Sequence, residues 1–139
     1  MKLSTRSRYG TRILLEMAEH YKDGFINSAE IARHQEVSLK YLEQILIPLK
    51  RANLVVSARG PKGGHRLAKS PAKIRVGEVV SLLEGGPCLA ECSLDPQSCG
   101  RVETCLTRRI WQEAAKAMYR KLNSFTLSDL VRQRKGLKM

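Results

Sequence analysis

The order of segments in the first half of the chain constrains its fold more than its composition does. Residues 5 to 21 carry apolar side chains at helical spacing, and two shorter helical segments follow. Residues 54 to 57 then have the pattern of a strand, and residues 66 to 67 that of its partner. Between them lies the turn-forming run RGPKGGH at residues 59 to 65. This order predicts a winged helix-turn-helix, a mainly α fold with a small β-hairpin wing.

Capping residues place the starts of three helices. Asn27 with Glu30 has the spacing of a capping box for the second helix, and Ser38 begins the third. Thr126 with Asp129 begins a short final helix. We expect Pro48 to bend or loosen the third helix between residues 44 and 48 without breaking it, and the basic tail from 132 to 139 to be frayed.

A long helix, from about residue 104 to 122, has an apolar stripe that one small domain does not need. Packing this stripe against a second copy of the chain would give a two-fold homodimer, so we expect a dimerisation helix here. The alternative is that the stripe covers the core of its own chain. The stripe consists of Leu106, Ile110, Ala114, Ala117 or Met118, and Leu122.

A further helix is predicted over residues 77 to 84.

The chain is strongly basic, with 25 lysines and arginines against 13 acidic residues, a formal charge of +12. Such a charge attracts nucleic acid or an acidic membrane surface, although it also favours simple solubility. No segment approaches the roughly 20 apolar residues that a membrane span needs, and no signal peptide is visible. We therefore expect a cytoplasmic protein with no membrane partner.

The third helix would lie in the major groove of duplex DNA, with its first residues nearest the base edges. Gln pairs with adenine, Glu accepts from cytosine, and Ser and Tyr suit phosphate. The alternative is that these polar residues form a solvated helix face. The candidate readers are Ser38, Lys40, Tyr41, Glu43 and Gln44.

The tip of the hairpin adds basic side chains and glycines, which allow the backbone to approach DNA closely. An arginine there could enter a narrow minor groove. A phosphate-cradling nucleotide loop is the weaker interpretation, because no Gly-Lys-Ser/Thr ending follows and no helix begins there. The basic residues expected at the tip are Arg59, Lys62, His65 and Arg66.

All four cysteines fall between positions 88 and 105, separated by three, six and five residues. In a cytoplasmic protein such crowding favours metal or redox chemistry over structural disulfides. The uneven spacing favours an iron–sulfur cluster, because structural zinc sites use tighter pairs. Zinc and a thiol–disulfide switch are the alternatives. An iron–sulfur redox enzyme is a remote alternative, because the three histidines are scattered and no nucleophile–base spacing stands out. We expect neither an enzyme nor a small-molecule substrate.

Several blocks of the sequence are similar to one known family. They are Arg8–Gly10, Ser38–Gln44, Leu54–His65, Val76–Val79 and Cys105–Thr107. On these residues the chain resembles the Rrf-type winged-helix transcriptional regulators, among which IscR, NsrR, RirA and CymR are counted, and it is closest in pattern to the iron–sulfur regulator IscR. The resemblance implies a homodimer that binds operator DNA, as a repressor, and senses iron–sulfur status, nitric oxide or redox stress.

The resemblance also implies the ligands. Cys92, Cys99 and Cys105 match the three cluster cysteines of the family, and Arg59 matches its wing arginine. Arg108 and Arg8 stand where family members have a histidine or an aspartate as fourth ligand. Cys88 or a group from the partner chain's first helix is then the fourth ligand, and the cluster is either 2Fe–2S or 4Fe–4S. The expected organisation is a DNA-binding domain at residues 1–84, a cluster-binding loop at 85–105, and the dimerisation helix with a C-terminal helix and tail at 106–139.

Overall fold

The computed structural model describes residues 2–90, 93 and 95–137. Cys92, one of the predicted ligands, lies outside the described residues. The described part is mainly α-helical with one antiparallel hairpin, as predicted, and short 3₁₀ turns lie between some elements. The elements are α1 Thr5–Glu19, α2 Ser28–Gln35, α3 Leu39–Arg51, β1 Val55–Ala58, β2 Gly64–Leu67, α4 Val76–Glu84, α5 Leu106–Leu122 and α6 Leu127–Leu137.

Helix α1 is the centre of the core, because its apolar face packs against α2, α3, α4 and α6. Ile13 and Leu14 are completely buried there. Gly10 lets α4 approach closely, since a Cβ at this position would lie 2.3 Å from Cδ1 of Leu83. The buried carboxylate of Glu16 accepts hydrogen bonds from the α2 residues His34 and Gln35, at 2.9 and 2.7 Å. Both the packing and these polar contacts hold α2 against α1.

The helix caps follow the predicted residues. Ser38 Oγ accepts the backbone N–H of Tyr41 at 3.0 Å, and Asn27 Oδ1 accepts that of Ala29 at 2.8 Å. Helix α3 continues without interruption through Pro48 to Arg51. The buried side chains on both sides of the proline, Ile45, Leu46 and Leu49, pack into the core and support the helix there.

The wing contains one more strand-like pairing than the sequence predicted. Strands β1 and β2 pair with Ser57 opposite His65. On its other side His65 exchanges both backbone hydrogen bonds with Ile26, each at 2.9 Å. Gly64 makes this possible: its φ is +140°, and a Cβ would lie 2.1 Å from the carbonyl oxygen of Ile26. The hairpin is therefore attached to the segment that leads into α2.

The C-terminal helix is more ordered than predicted. Thr126 and Asp129 form the expected reciprocal cap, with Asp129 Oδ2 accepting the N–H of Thr126 at 2.9 Å and Thr126 Oγ1 accepting that of Asp129 at 3.1 Å. Residues 132 to 137 of the tail that was expected to fray are helical, since α6 runs to Leu137. Residues 138 and 139 lie outside the described residues. Helix α6 packs against α1, and Arg134 forms an ion pair with Glu19 at 3.1 Å.

Helix α5 packs against α4 but leaves most of its apolar side chains in solvent. Only Ala115 and Tyr119 of its residues are buried. Leu106 is 87% exposed and Ile110 is 54% exposed. Ala114 and Ala117 are exposed too, so the predicted stripe lies on the outside of this chain. No helix in the described part of the chain has the length and apolar character to cross a membrane.

Candidate nucleic-acid interface and cysteine segment

The first turns of α3 present polar side chains to solvent. Lys40 and Gln44 are exposed, and the side chain of Glu43 is 46% exposed. Tyr41 is half-buried, with its ring edge-on to that of Tyr9 at a centroid distance of 6.1 Å. Ser38 uses its hydroxyl to cap the helix, as described above, which leaves one lone pair and the hydroxyl proton for another partner.

Arg6, in the first turn of α1, was not predicted as part of this surface. It lines a groove beside Tyr41 and Gln44, together with Ile47 and Pro48. Arg6 therefore lies beside two candidate readers, where an arginine suits a phosphate contact. The basic composition of the first turn of α1 was the available signal, but sequence spacing alone did not relate it to α3.

A second groove, of about 380 Å³, separates α3 from the wing. Glu43 and Lys50 line it from α3, and Arg59 lines it from the hairpin. Arg59 and Lys62 are both exposed on the turn, as predicted. A groove with two cations and a carboxylate suits the sugar–phosphate backbone next to a base edge.

His65 does not lie at the exposed tip, so this prediction is wrong. The residue is 5% exposed, and both ring nitrogens are engaged: Nδ1 is 2.7 Å from Ser57 Oγ and Nε2 is 2.6 Å from Ser28 Oγ. Burial lowers the pKa of His65, an effect that Glu43 opposes and Lys50 strengthens. The ring is held between Ser57 of β1 and Ser28 of α2, and it therefore supports the wing from inside.

Cys105 is the residue immediately before α5, at its N-cap. Its Sγ lies 3.1 Å from Thr107 Oγ1. This hydrogen bond lowers the pKa of the Cys105 thiol, and the backbone N–H groups of Arg108 and Thr107 and the charge of Arg101 act in the same direction. The helix N-terminus therefore favours the thiolate, the form that binds metal.

The other described cysteines lie apart from this position. Cys99 is exposed, just after the 3₁₀ turn Pro96–Ser98. Cys88 lines a cavity of about 260 Å³ with Met118 and Tyr119, near the far end of α5. Met118 comes thirteen positions after Cys105, which corresponds to a rise of roughly 20 Å along the helix. The structure therefore does not bring Cys88 and Cys105 together, whereas the sulfur ligands of one metal centre lie within a few ångströms of one another.

Among the described residues, no group of three or more His, Cys, Asp or Glu side chains is close enough to hold a metal ion. The donor chemistry still fits a soft metal, since the surroundings of Cys105 lower the pKa of its thiol and Cys99 is accessible. Thiolates are the ligands of iron–sulfur clusters and of structural zinc. Cys105, Cys99 and Cys92 thus remain the donors that such a centre would use.

An exposed helix after a tight connector, beside a basic hairpin, defines this chain as a winged helix-turn-helix DNA-binding protein. The family model Rrf2, described as "Iron-dependent Transcriptional regulator", matches residues 3–133. The chain belongs to the Rrf2 family of transcriptional regulators. The predicted family and the prediction of a regulator that is not an enzyme are thereby confirmed.

Individual relatives agree with this assignment. The chain is 49% identical over 132 residues to "Protein rrf2" of Nitratidesulfovibrio vulgaris, covering 95% of this chain and 88% of that protein. The solved structure of T. potens IscR is 31% identical, with a TM-score of 0.80 over 100% of this chain and 92% of that one. CymR, described as the global cysteine regulator of B. subtilis, is 34% identical, with a TM-score of 0.75 over 96% and 98%.

Proposed function

We propose that this regulator binds operator DNA as a homodimer, acts as a repressor, and responds to an iron–sulfur cluster held by Cys92, Cys99 and Cys105. The main support for this proposal is the position of Cys105, which is the N-cap residue of α5, the helix with the exposed apolar stripe. The cysteine segment and the proposed dimer helix are therefore directly connected.

DNA contact by α3 and the wing is supported by the positions of exposed polar and basic side chains. Lys40, Glu43 and Gln44 would face base edges or nearby phosphates in a major groove. Arg59 and Lys62 would reach the adjacent backbone or minor groove. Arg6 adds a cation on the other side of α3.

Dimerisation through α5 is supported by its exposed stripe. The large apolar side chains that remain in solvent lie in the first two turns of α5, at Leu106, Ile110 and Trp111, and such a patch is typical of an interaction surface. In a two-fold dimer, each α5 would bury the same residues against its twin, and the two α3 helices would address half-sites about one DNA turn apart.

The route from the cysteine segment to α3 runs through packed helices. Helix α5 packs on α4, and α4 packs on both α1 and α3. A ligated Cys105 would fix the first turn of α5, and a released one would free it. Because α5 also carries the proposed dimer contact, its position would set the distance and tilt between the two recognition helices. When bound, the cluster supplies a centre sensitive to oxidation, nitric oxide and iron supply.

Iron and sulfide content tests the ligand set. Anaerobically purified wild type should carry iron and inorganic sulfide, and Cys99→Ser and Cys105→Ser should lose both. Cys88→Ser is the matched control: it removes a thiol from the same stretch, but one that lies beside Met118, so it should keep the cluster. Zinc in place of iron and sulfide, or loss of the cluster only in Cys88→Ser, would contradict the proposal.

A thiol switch is the second candidate, and two observations favour it. The pKa of the Cys105 thiol is lowered and Cys99 is exposed, which are the properties of oxidisable cysteines. A relative of similar fold is described as a global cysteine regulator. Metal-free protein that changes its operator affinity reversibly with peroxide and dithiothreitol would favour the switch over the cluster.

Base readout is tested by selecting duplexes from a random library. Glu43→Ala should relax the preference at one position of each half-site, at a cost of about 1–3 kcal/mol for the preferred base. Lys62→Ala is the control, because a phosphate contact weakens binding to every duplex to a similar degree and lowers the salt dependence.

A further inference from the structure

We propose that the buried His65 positions Glu43 in the groove between α3 and the wing, and that the ring thereby tunes base preference to pH. This inference rests on the proposed role of α3 in reading DNA. In this proposal His65 does not contact DNA itself but positions Glu43, which does.

His65 joins three parts of the DNA-binding surface. Its backbone pairs with Ser57 of β1 and with Ile26, and its ring reaches Ser28, the first residue of α2. Two hydrogen bonds of 2.6 and 2.7 Å hold the ring on opposite sides. The ring therefore has one fixed orientation relative to the hairpin and the helix-turn-helix.

In that orientation Nε2 faces the recognition helix. Glu43 Oε1 lies 3.9 Å from His65 Nε2, beyond a hydrogen bond but close enough for a strong charge interaction. The other charged residues that line this groove are Lys50, on α3, and Arg59, on the wing. Glu43 is thus the nearest carboxylate to a buried ring that can gain a proton.

The protonation state of the His65 ring determines whether the Glu43 carboxylate is attracted toward the ring. A neutral imidazole has one N–H donor and one acceptor, so one serine accepts from it and the other donates to it. The neutral ring leaves the Glu43 carboxylate free to accept from a base in the groove. A protonated ring has two N–H donors and a positive charge, which would draw Glu43 toward Nε2 and away from the base.

The sign of the effect follows from burial. Desolvation lowers the pKa of His65 below its ordinary 6.5, so at any given pH less of this ring is protonated than of an exposed histidine. Base preference at the position read by Glu43 should therefore be greatest at neutral and higher pH, where the ring is neutral, and should decline as the pH falls and the ring gains its proton.

The test measures base preference at two pH values. The probe is a duplex that wild-type protein selects at about pH 7.5, together with variants at the position that Glu43→Ala relaxes. For wild type, the affinity ratio of preferred to substituted duplex should fall as the pH is lowered from 7.5 to 5.5, by up to about tenfold, the size of one base contact. In His65→Gln the ratio should not change with pH, because the amide keeps a donor and an acceptor but cannot gain a proton.

A parallel measurement covers the case in which His65→Gln does not fold. The NMR titration of His65 should have a lower midpoint in Glu43→Gln than in wild type, because the Glu43 charge raises the pKa of the ring. Lys62→Ala, on the exposed turn, is the control and should leave the midpoint unchanged.

The outcomes separate the two claims. Equal pH dependence in wild type and His65→Gln, or a His65 midpoint unaffected by Glu43→Gln, would overturn the positioning role alone. Unchanged base preference in Glu43→Ala would overturn the proposed reading by α3, and with it this inference.

Discussion

Truncation of Ile110 should weaken a dimer that forms through α5. The exposed fraction of the Ile110 side chain in the single chain sets the size of this loss. Ile110→Ala removes three carbon atoms, worth about 0.8 kcal/mol each when fully buried. Since the residue is 54% exposed in the single chain, at most about half of this, or about 1.3 kcal/mol, is available to each protomer. A two-fold interface contains the residue twice, so the loss is at most about 2.6 kcal/mol, or about seventyfold in the dissociation constant.

Sedimentation equilibrium over a range of protein concentrations measures this change. Lys116→Ala is the matched control, because it truncates an exposed side chain of the same helix outside the stripe and should leave the constant near that of wild type. Far-UV circular dichroism of both variants checks that α5 is retained. Equal dissociation constants for wild type and Ile110→Ala would refute the reasoning that the stripe is the dimer contact.

Three further predictions concern the wing, the N-terminal cap and the electrostatics of binding. Gly64→Ala should unfold the wing or lower the free energy of unfolding in urea by several kcal/mol. The added Cβ would overlap the carbonyl of Ile26, and the φ of +140° disfavours any L side chain. Full wild-type stability would contradict this. Glu84 accepts hydrogen bonds from the two serines at the start of α1, which lower the pKa of its carboxyl. The stabilisation is therefore present above the ordinary pKa of 4.5 and lost as pH falls through the lowered value, so Glu84→Gln should be less stable at pH 7 but not in strong acid. Equal stability of both proteins at pH 7 would show that these bonds contribute nothing. Arg59→Ala should reduce the salt dependence of operator binding, whereas Lys73→Ala, an exposed cation outside the groove, should not; equal slopes would exclude a phosphate contact at Arg59.

Much of the fold could be predicted because its signals are local. A serine or threonine cap depends on residues two or three positions away, and Ser38 and Thr126 are found where the sequence placed them. The order of helices and hairpin likewise needs only periodicity and turn residues. The length of α6 was underestimated because its order comes from packing on α1 and from an ion pair with Glu19, neither of which is visible in the basic tail itself.

The interior of the wing was not predictable in the same way. His65 stands in a basic, glycine-rich run, where a polar and exposed position is the ordinary expectation. Its burial depends on Ile26, which is 39 positions earlier and forms a bridge of a single residue pair. A single residue pair produces no alternating pattern of apolar and polar residues in the sequence. The pairing of the hairpin with Ile26 was therefore not predicted.

The cysteine segment marks a similar limit. Spacing along a loop says which thiols are neighbours in sequence but not which are neighbours in space. Cys88 follows closely on the end of α4 and is held beside Met118, while Cys105 starts α5 at the opposite end of that helix. The choice of Cys88 as a fourth ligand is an untested prediction, and the position of this thiol beside Met118 argues against it.

The measurement that tests the central claim most directly is the operator affinity of one protein preparation before and after removal of the proposed cluster, at a single salt concentration. Coupling between two sites of a protein typically amounts to about 5- to 150-fold in affinity. We expect a difference of at least fivefold between the two forms, with Cys105→Ser behaving as the stripped protein. Identical affinity and identical base preference in all three would contradict the account and leave a winged-helix regulator that does not sense through this segment.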